Sequence, residues 1–158
     1  MKIGFLLWWQ GDTLSYVMAD NLIRSARRWM PGVPLVQLSD GDSPAIPGVD
    51  EVDRVNFNIP FALWCAERYA RLEGEWLLID TDCEFYEDVR QVFAEPFDVA
   101  LTNRAGTLLP QEAHADDYQQ MPWNIGVVFS RSSEFWRRVV ERLKTYPAER
   151  QQWMGNQH

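Results

Sequence analysis

The chain has 158 residues, is 46% hydrophobic with 13% aromatic residues, and carries a formal net charge of −8. This length predicts one domain with a real core, and the apolar content excludes a disordered chain. The negative charge argues against a nucleic-acid groove, although an acidic protein can bind a nucleotide when a metal ion supplies positive charge.

Two further features concern the compartment. The only cysteines, Cys65 and Cys83, form no paired framework and no Cys-x-x-Cys motif, which favours a reducing compartment. The apolar run near the N-terminus is too short to span a bilayer, and no small-residue cleavage site follows it. We therefore expect a soluble, cytoplasmic protein without a transmembrane segment.

The first forty residues have the pattern of a β-α-β unit. Residues 2–9 are an apolar run that predicts a central strand, and residues 14–30 carry apolar side chains at helical spacing. Pro31 and Gly32 end this helix, and residues 33–38 predict a second strand. A helix between two strands in this way predicts a parallel pair.

The rest of the chain continues the alternation. A short strand is expected within residues 49–57, a helix from Pro60 to residue 72, a buried strand at 76–79, a helical turn at 88–93 and a strand at 97–102. A polar loop then occupies residues 104–122, followed by a strand at 123–130 and a long helix capped by Ser132 or Ser133. We predict a three-layer α/β/α fold, with a mostly parallel central sheet and helices on both faces.

The strand at 76–79 leads directly into Asp80 and Asp82. Because side chains along a strand alternate between faces, these two carboxylates point toward one place if the strand geometry persists. Converging carboxylates repel unless a cation or shared proton intervenes, and oxygen ligands favour Mg²⁺ or Mn²⁺. Since open α/β sheets bind ligands at the carboxyl ends of their strands, we predict a metal site for a phosphate-bearing ligand. The alternative is an exposed turn in which both carboxylates accept hydrogen bonds from backbone amides.

Three landmarks in this order resemble the A-type fold of nucleotide-diphospho-sugar glycosyltransferases. They are the Asp-x-Asp at residues 80–82, the segment Trp123-Asn124-Ile125-Gly126-Val127, similar to an asparagine-x-glycine strand of the family, and Met154-Gly155-Asn156-Gln157, similar to its glycine-aspartate-glutamine segment. The resemblance covers nearly the whole chain. It implies a single nucleotide-sugar-binding domain over residues 1–158, a Mn²⁺ or Mg²⁺ cofactor, and transfer of a sugar from a nucleotide-diphosphate donor to an unknown acceptor.

The resemblance also implies roles for individual residues. In the family the Asp-x-Asp carboxylates hold a cation that bridges the donor's diphosphate. Here Asp82 would be the direct ligand, Asp80 would meet the ribose or a metal-bound water, and His158 is a candidate third ligand. The implied donor-binding residues are Leu7, Trp8, Trp9, Asp40, Asp80, Thr81, Asn124, Gly126 and Gln157. Each tryptophan can instead pack in the core.

Departures from the family pattern bear on turnover. The first basic residue of the second helix is Arg68, which either reaches a phosphate or extends past the apolar stripe to water. Asn156 stands where the family has a carboxylate, and family members are usually longer, so the chain is a minimal member or the donor-binding part of a larger protein. The general base stays unassigned among three acidic residues of the polar loop, Glu112, Asp116 and Asp117, while His114 is expected at the surface.

Two other functions remain open from the sequence. A non-catalytic domain of the same fold would bind a nucleotide sugar or a partner without turnover, and the short chain and Asn156 favour it. A haloacid-dehalogenase phosphatase would use Asp80 as a nucleophile. That family places its motif near the N-terminus, with Thr or Val at the position that Glu84 occupies here.

Overall fold

The computed structural model, which describes residues 1–8, 11, 13–56, 58–103 and 123–148, contains six strands, three α-helices and one 3-10 helix. In chain order they are β1 (Lys2–Leu7), α1 (Thr13–Trp29), β2 (Leu35–Ser39), β3 (Glu51–Arg54), α2 (Phe61–Tyr69), β4 (Trp76–Ile79), a 3-10 helix (Arg90–Ala94), β5 (Val99–Asn103), β6 (Trp123–Ser130) and α3 (Ser133–Lys144). No helix in the described residues is long and apolar enough to cross a membrane.

The six strands form one sheet in the order β3-β2-β1-β4-β6-β5. The pairings among β3, β2, β1 and β4 are parallel, whereas β6 runs antiparallel to both β4 and β5. The predicted mostly parallel sheet is therefore confirmed. One consequence is that the carboxyl ends of β1, β2, β3 and β4 meet at a single edge, where open α/β sheets bind ligands.

Helices cover both faces of this sheet, as predicted. On one face, side chains of β1 and β4 such as Phe5 and Leu77 pack with Leu22 of α1. On the other face, Leu78 packs with residues of α2 and α3, including Trp64. The continuous apolar runs of β1 and β4 supply both cores, because alternate residues of a strand point to opposite faces.

Element boundaries differ from the sequence prediction by one to three residues, and the largest difference is at α2, which ends at Tyr69 rather than at residue 72. β1 ends at Leu7 rather than at residue 9, and β2 begins at Leu35 rather than at residue 33. Helix α1 is followed by Gly32 with φ of +80°, a conformation that side-chain-bearing residues rarely adopt. Ser132 caps α3 by accepting a hydrogen bond from the Phe135 N–H at 3.2 Å. The predicted loop at 104–122 lies outside the described residues.

Candidate functional site

The register of the sheet places Asp80 at its carboxyl edge. Leu6 of β1 lies opposite Leu38 of β2, which lies opposite Asp53 of β3. On the other side of β1, Phe5 pairs with Ile79 of β4, so the next residue, Asp80, lies beside Leu6. Asp53, Leu38, Leu6 and Asp80 therefore form one row across the sheet. Residues in register share a face, and the row therefore points toward the layer that contains α2 and α3.

Asp80 and Asp82 interact electrostatically. Asp80 is partly buried and Asp82 is exposed. Burial, and then the negative charge of Asp82, raise the pKa of Asp80 from 3.8 to about 6. Among the described residues no backbone amide donates to either carboxylate, so the hydrogen-bonded turn that the sequence left open does not form there. Within the described residues, neither carboxylate of the pair forms an ion pair with a basic side chain.

Asp80 also influences groups beside it. Burial raises the pKa of the Cys65 thiol on α2, and the charge of Asp80 raises it further. The Cys83 thiol lies 3.8 Å from Oδ1 of Asp82, and its pKa is raised to about 11 by burial and by both aspartates. A cation at this position would relieve the repulsion that these shifts report.

The donor set fits a cation that keeps part of its water shell. Mg²⁺ is commonly bound by one or two carboxylates together with substrate phosphates, rather than by a cage of protein ligands. Within the described part of the chain, no group of three His, Cys, Asp or Glu residues could hold a metal ion. Asp80 and Asp82 can therefore contribute two carboxylates to a metal site whose other ligands are water and substrate phosphates. The third candidate, His158, lies outside the described residues.

A stack of aromatic rings leads away from the end of β1. The Trp8 ring is 40% exposed and stacks on Phe61 of α2, with a centroid distance of 5.4 Å and an interplanar angle of 27°. Phe61 in turn stacks on Trp64 at 5.9 Å. Leu7 lies in the core on the α1 side with 2% of its surface exposed, and Trp9 lies outside the described residues. Of the three predicted donor-binding residues at the end of the first strand, Trp8 is the one that presents a ring to solvent within the described chain.

Asp40 follows β2 at the same edge, where it holds a loop. Its carboxylate accepts a hydrogen bond from the Ser43 N–H at 3.0 Å and lies against the Ser43 hydroxyl. That hydroxyl also lies 3.0 Å from the carbonyl oxygen of Leu7. Asp40 is 7% exposed, so in this arrangement its side chain fixes the loop to the end of β1.

The strand that carries Asn124 and Gly126 contains a bulge. Leu101 pairs with Val128, yet the next residue of β5, Thr102, pairs with Asn124, so three residues of β6 lie between consecutive pairs. Gly126, within this bulge, accepts a hydrogen bond from the Asp80 N–H at 2.8 Å. The bulge brings backbone without a side chain next to the acidic pair, and the sequence signal for it was the isolated glycine in a strand.

Arg68 departs from its predicted environment. The prediction that it extends to water is wrong, because the residue is only 4% exposed. Its Nη2 lies 2.6 Å from the backbone carbonyl oxygen of Asp53 and 2.8 Å from that residue's carboxylate, and its guanidinium lies 4.9 Å from the centre of the Trp64 ring. The Nε and Nη1 groups have no hydrogen-bond partner in the described chain. Burial lowers the pKa of Arg68, and the charge of Asp53 opposes that effect.

The remaining predicted site residues are placed as follows. Thr81 is partly buried in the turn between Asp80 and Asp82. Gln157, the candidate bases Glu112, Asp116 and Asp117, and His114 lie outside the described residues. The structure thus brings together Asp80, Asp82 and Gly126, with Trp8 and Asp40 on the same edge of the sheet.

Solved glycosyltransferases share this fold. The galactosyltransferase LgtC, in a complex with donor and acceptor sugar analogues, has a TM-score of 0.62 and 12% identity over 90% of this chain and 62% of its own. The glycosyltransferase GlyE of Streptococcus pneumoniae TIGR4 has a TM-score of 0.59 and 14% identity over 99% of this chain and 41% of its own. The bifunctional glycosyltransferase WbbM has a TM-score of 0.56 and 14% identity over 90% and 33%.

These similarities confirm the predicted glycosyltransferase-like fold. At sequence identities of 12–14% they concern the fold alone. The chain spans less than two thirds of the length of each of these proteins. No protein-family model and no curated protein matches the sequence.

Proposed function

We propose that this domain binds a nucleotide-diphosphate sugar through a divalent cation and transfers the sugar to an acceptor. The observation that carries the proposal is the electrostatically coupled pair Asp80 and Asp82 at the carboxyl edge of the sheet. The fold shared with LgtC and GlyE supports it, and it favours transfer over the phosphatase alternative.

Each residue of the site has a distinct task in this proposal. The exposed Asp82 offers its carboxylate directly to the cation, and the partly buried Asp80 offers a second oxygen or orients a bound water. Gly126 leaves space beside them because it carries no side chain. The exposed face of Trp8 offers a stacking surface for the nucleobase, on the side of the sheet toward which Asp80 points. A bound Mg²⁺ or Mn²⁺ supplies Lewis-acid stabilisation to a departing diphosphate.

The test is a titration of the protein with nucleoside diphosphates, with and without Mn²⁺, followed by calorimetry. We expect binding that requires Mn²⁺ and that is at least about tenfold weaker in Asp82→Asn, a loss of about 1.4 kcal/mol. Glu84→Gln is the matched control, since Glu84 is another exposed carboxylate of the same turn. Binding that is independent of Mn²⁺, or equally affected by both substitutions, contradicts the proposal.

A second candidate is binding of the donor without turnover. The observation that favours it is Asn156, which stands where the family's glycine-aspartate-glutamine segment has a carboxylate. Incubation with nucleotide sugars separates the two functions. Release of nucleoside diphosphate that depends on Asp82 supports transfer or hydrolysis, whereas stable binding of the intact donor over hours supports the binding function.

A further inference from the structure

A cavity of about 160 Å³ lies between α2, α3 and the β5–β6 pair. Its α2 wall includes Cys65, Ala66 and Tyr69, and its α3 wall includes Phe135 and Trp136. Protein interiors are normally packed so closely that few voids exceed a water molecule. The small side chain of Ala66, buried where two helices face each other, leaves part of this space open.

The size and lining of the cavity suit one aromatic ring. Apolar cavities of about 150 Å³ bind ligands the size of benzene. The ring of Trp136 meets the ring of Tyr69 edge to face at 4.8 Å and that of Phe135 at 5.1 Å, with interplanar angles of 65° and 88°. Aromatic pairs in such arrangements gain about 0.5–1.5 kcal/mol beyond area burial, so a further ring is favoured over an aliphatic group of the same size.

Tyr69 brings a polar group to the cavity wall, the hydroxyl of its phenol ring. The residue as a whole is 8% exposed. Because a phenolic hydroxyl both donates and accepts hydrogen bonds, a ligand with one hydrogen-bonding atom can pair with it.

The cavity adjoins the acidic pair. Ile125 lines it and is 43% exposed, so the cavity reaches the surface there. The next residue, Gly126, is hydrogen-bonded to Asp80. Cys65, on the α2 wall, experiences the charge of Asp80. A molecule seated in the cavity and extending past Ile125 therefore lies beside the proposed donor site.

We infer that this cavity holds the aromatic end of the acceptor, a single ring that carries one hydrogen-bonding atom for Tyr69. The role as acceptor rests on the proposed transfer function, whereas ring binding is a property of the cavity itself. Two measurements on the same samples keep these apart: binding of phenol, and Mn²⁺-dependent binding of nucleoside diphosphates.

Phenol and toluene serve as probes, observed by NMR of the whole chain without nucleotide. We expect both to bind the unaltered protein, and Ala66→Leu to abolish binding of both because leucine fills the cavity. Tyr69→Phe should weaken phenol by about threefold to tenfold, the worth of one hydrogen bond, while leaving toluene unchanged. Val139→Phe, which fills the cavity from α3, replaces Ala66→Leu if that variant does not fold.

Each outcome bears on one part of the inference. Nucleotide binding without binding of phenol overturns the cavity site alone, as does unchanged phenol binding in both cavity-filling variants. Binding of phenol without any Mn²⁺-dependent nucleotide binding overturns the transfer function and the acceptor role while supporting the ring site. Simultaneous binding of phenol and nucleotide supports the acceptor role, and competition between them overturns it.

Discussion

The backbone N–H of Asp80 donates a hydrogen bond to the carbonyl of Gly126 at 2.8 Å, so the first aspartate of the acidic pair lies opposite a residue without a side chain. Residues opposite each other in an antiparallel pair share a face of the sheet. A β-carbon at position 126 would therefore project on the same side as the Asp80 carboxylate, into the space proposed for the cation and diphosphate.

The first prediction concerns Gly126→Ala. We expect Mn²⁺-dependent nucleotide binding to weaken by about tenfold, about 1.4 kcal/mol, because the added methyl group crowds Asp80. Gly4→Ala is the control, since Gly4 lies within β1 of the same sheet and its added β-carbon would meet Leu78 and Trp76 at 3.2–3.3 Å, away from the carboxyl edge. The control should lower thermal stability without changing the affinity of the folded protein. Equal nucleotide affinity in Gly126→Ala and Gly4→Ala would contradict the proposal that a methyl group at position 126 crowds Asp80.

The second prediction follows from the pKa of Asp80, which the fold raises from 3.8 to about 6. The folded state thus holds this proton more tightly than the unfolded state. Protonation of Asp80 therefore stabilises the folded state. This contribution to the free energy of unfolding is fully present below about pH 4 and is lost as the pH rises through about 6. In metal-free buffer, Asp80→Asn should match the unaltered protein at pH 4 and exceed it at pH 7.5. We expect a difference on the order of 1–2 kcal/mol in unfolding free energy, reduced from the full linkage value by partial solvent exposure.

Urea unfolding at several pH values measures this difference. Carboxylates with lowered pKa, such as Asp50, act in the opposite direction and cancel between variant and unaltered protein. Saturating Mn²⁺ should reduce the advantage of Asp80→Asn at pH 7.5, since a bound cation favours the ionised carboxylate. An advantage of the same size at pH 4 and pH 7.5 would contradict the assignment of the effect to Asp80.

The sequence predicted the sheet because its central strands are apolar on both faces. Residues 2–7 and 76–79 form uninterrupted apolar runs, which is the pattern of strands covered by helices on both sides. Asp80 stands at the end of such a run, so its place at the sheet edge followed from strand length alone. The antiparallel direction of β6 was not predicted, because apolar periodicity carries no information on direction.

Features that depend on contacts between distant parts of the chain could not be predicted from the sequence. The apolar stripe of α2 includes Arg68. A long basic side chain in such a stripe usually extends its charged end to water, which is why the sequence predicted an exposed guanidinium. Its burial depends on Asp53, fifteen positions earlier, reaching it from β3. The cavity likewise depends on which α3 residues face Ala66, a matter of helix packing that no local pattern encodes.

The third prediction compares two exposed tryptophans. Trp8 is 40% exposed and stacked on Phe61 at the carboxyl edge, whereas Trp29 is 37% exposed at the end of α1. Trp8→Ala should weaken nucleotide binding by about 1–3 kcal/mol, the usual worth of a base stacked on an aromatic ring. Trp8→Phe should retain most of the affinity, and Trp29→Ala should leave it unchanged. Calorimetry with a nucleoside diphosphate and Mn²⁺ measures all three variants, and equal losses in Trp8→Ala and Trp29→Ala would exclude Trp8 from the base site.

The fourth prediction contrasts the two partners of the ion pair between Arg68 and Asp53. Arg68→Met removes a buried charge whose Nε and Nη1 lack partners in the described chain and keeps most of the side-chain volume, so we expect a change within about 1 kcal/mol, or a gain in stability. Asp53→Asn leaves the buried guanidinium without its counter-charge and should cost about 1–3 kcal/mol, less than a fully buried pair because the Asp53 side chain is 45% exposed. Urea unfolding of both variants measures the difference. If Arg68→Met is the more destabilising, Arg68 contributes more than packing and its pair with Asp53. If it also weakens nucleotide binding, the alternative in which Arg68 reaches a phosphate gains support.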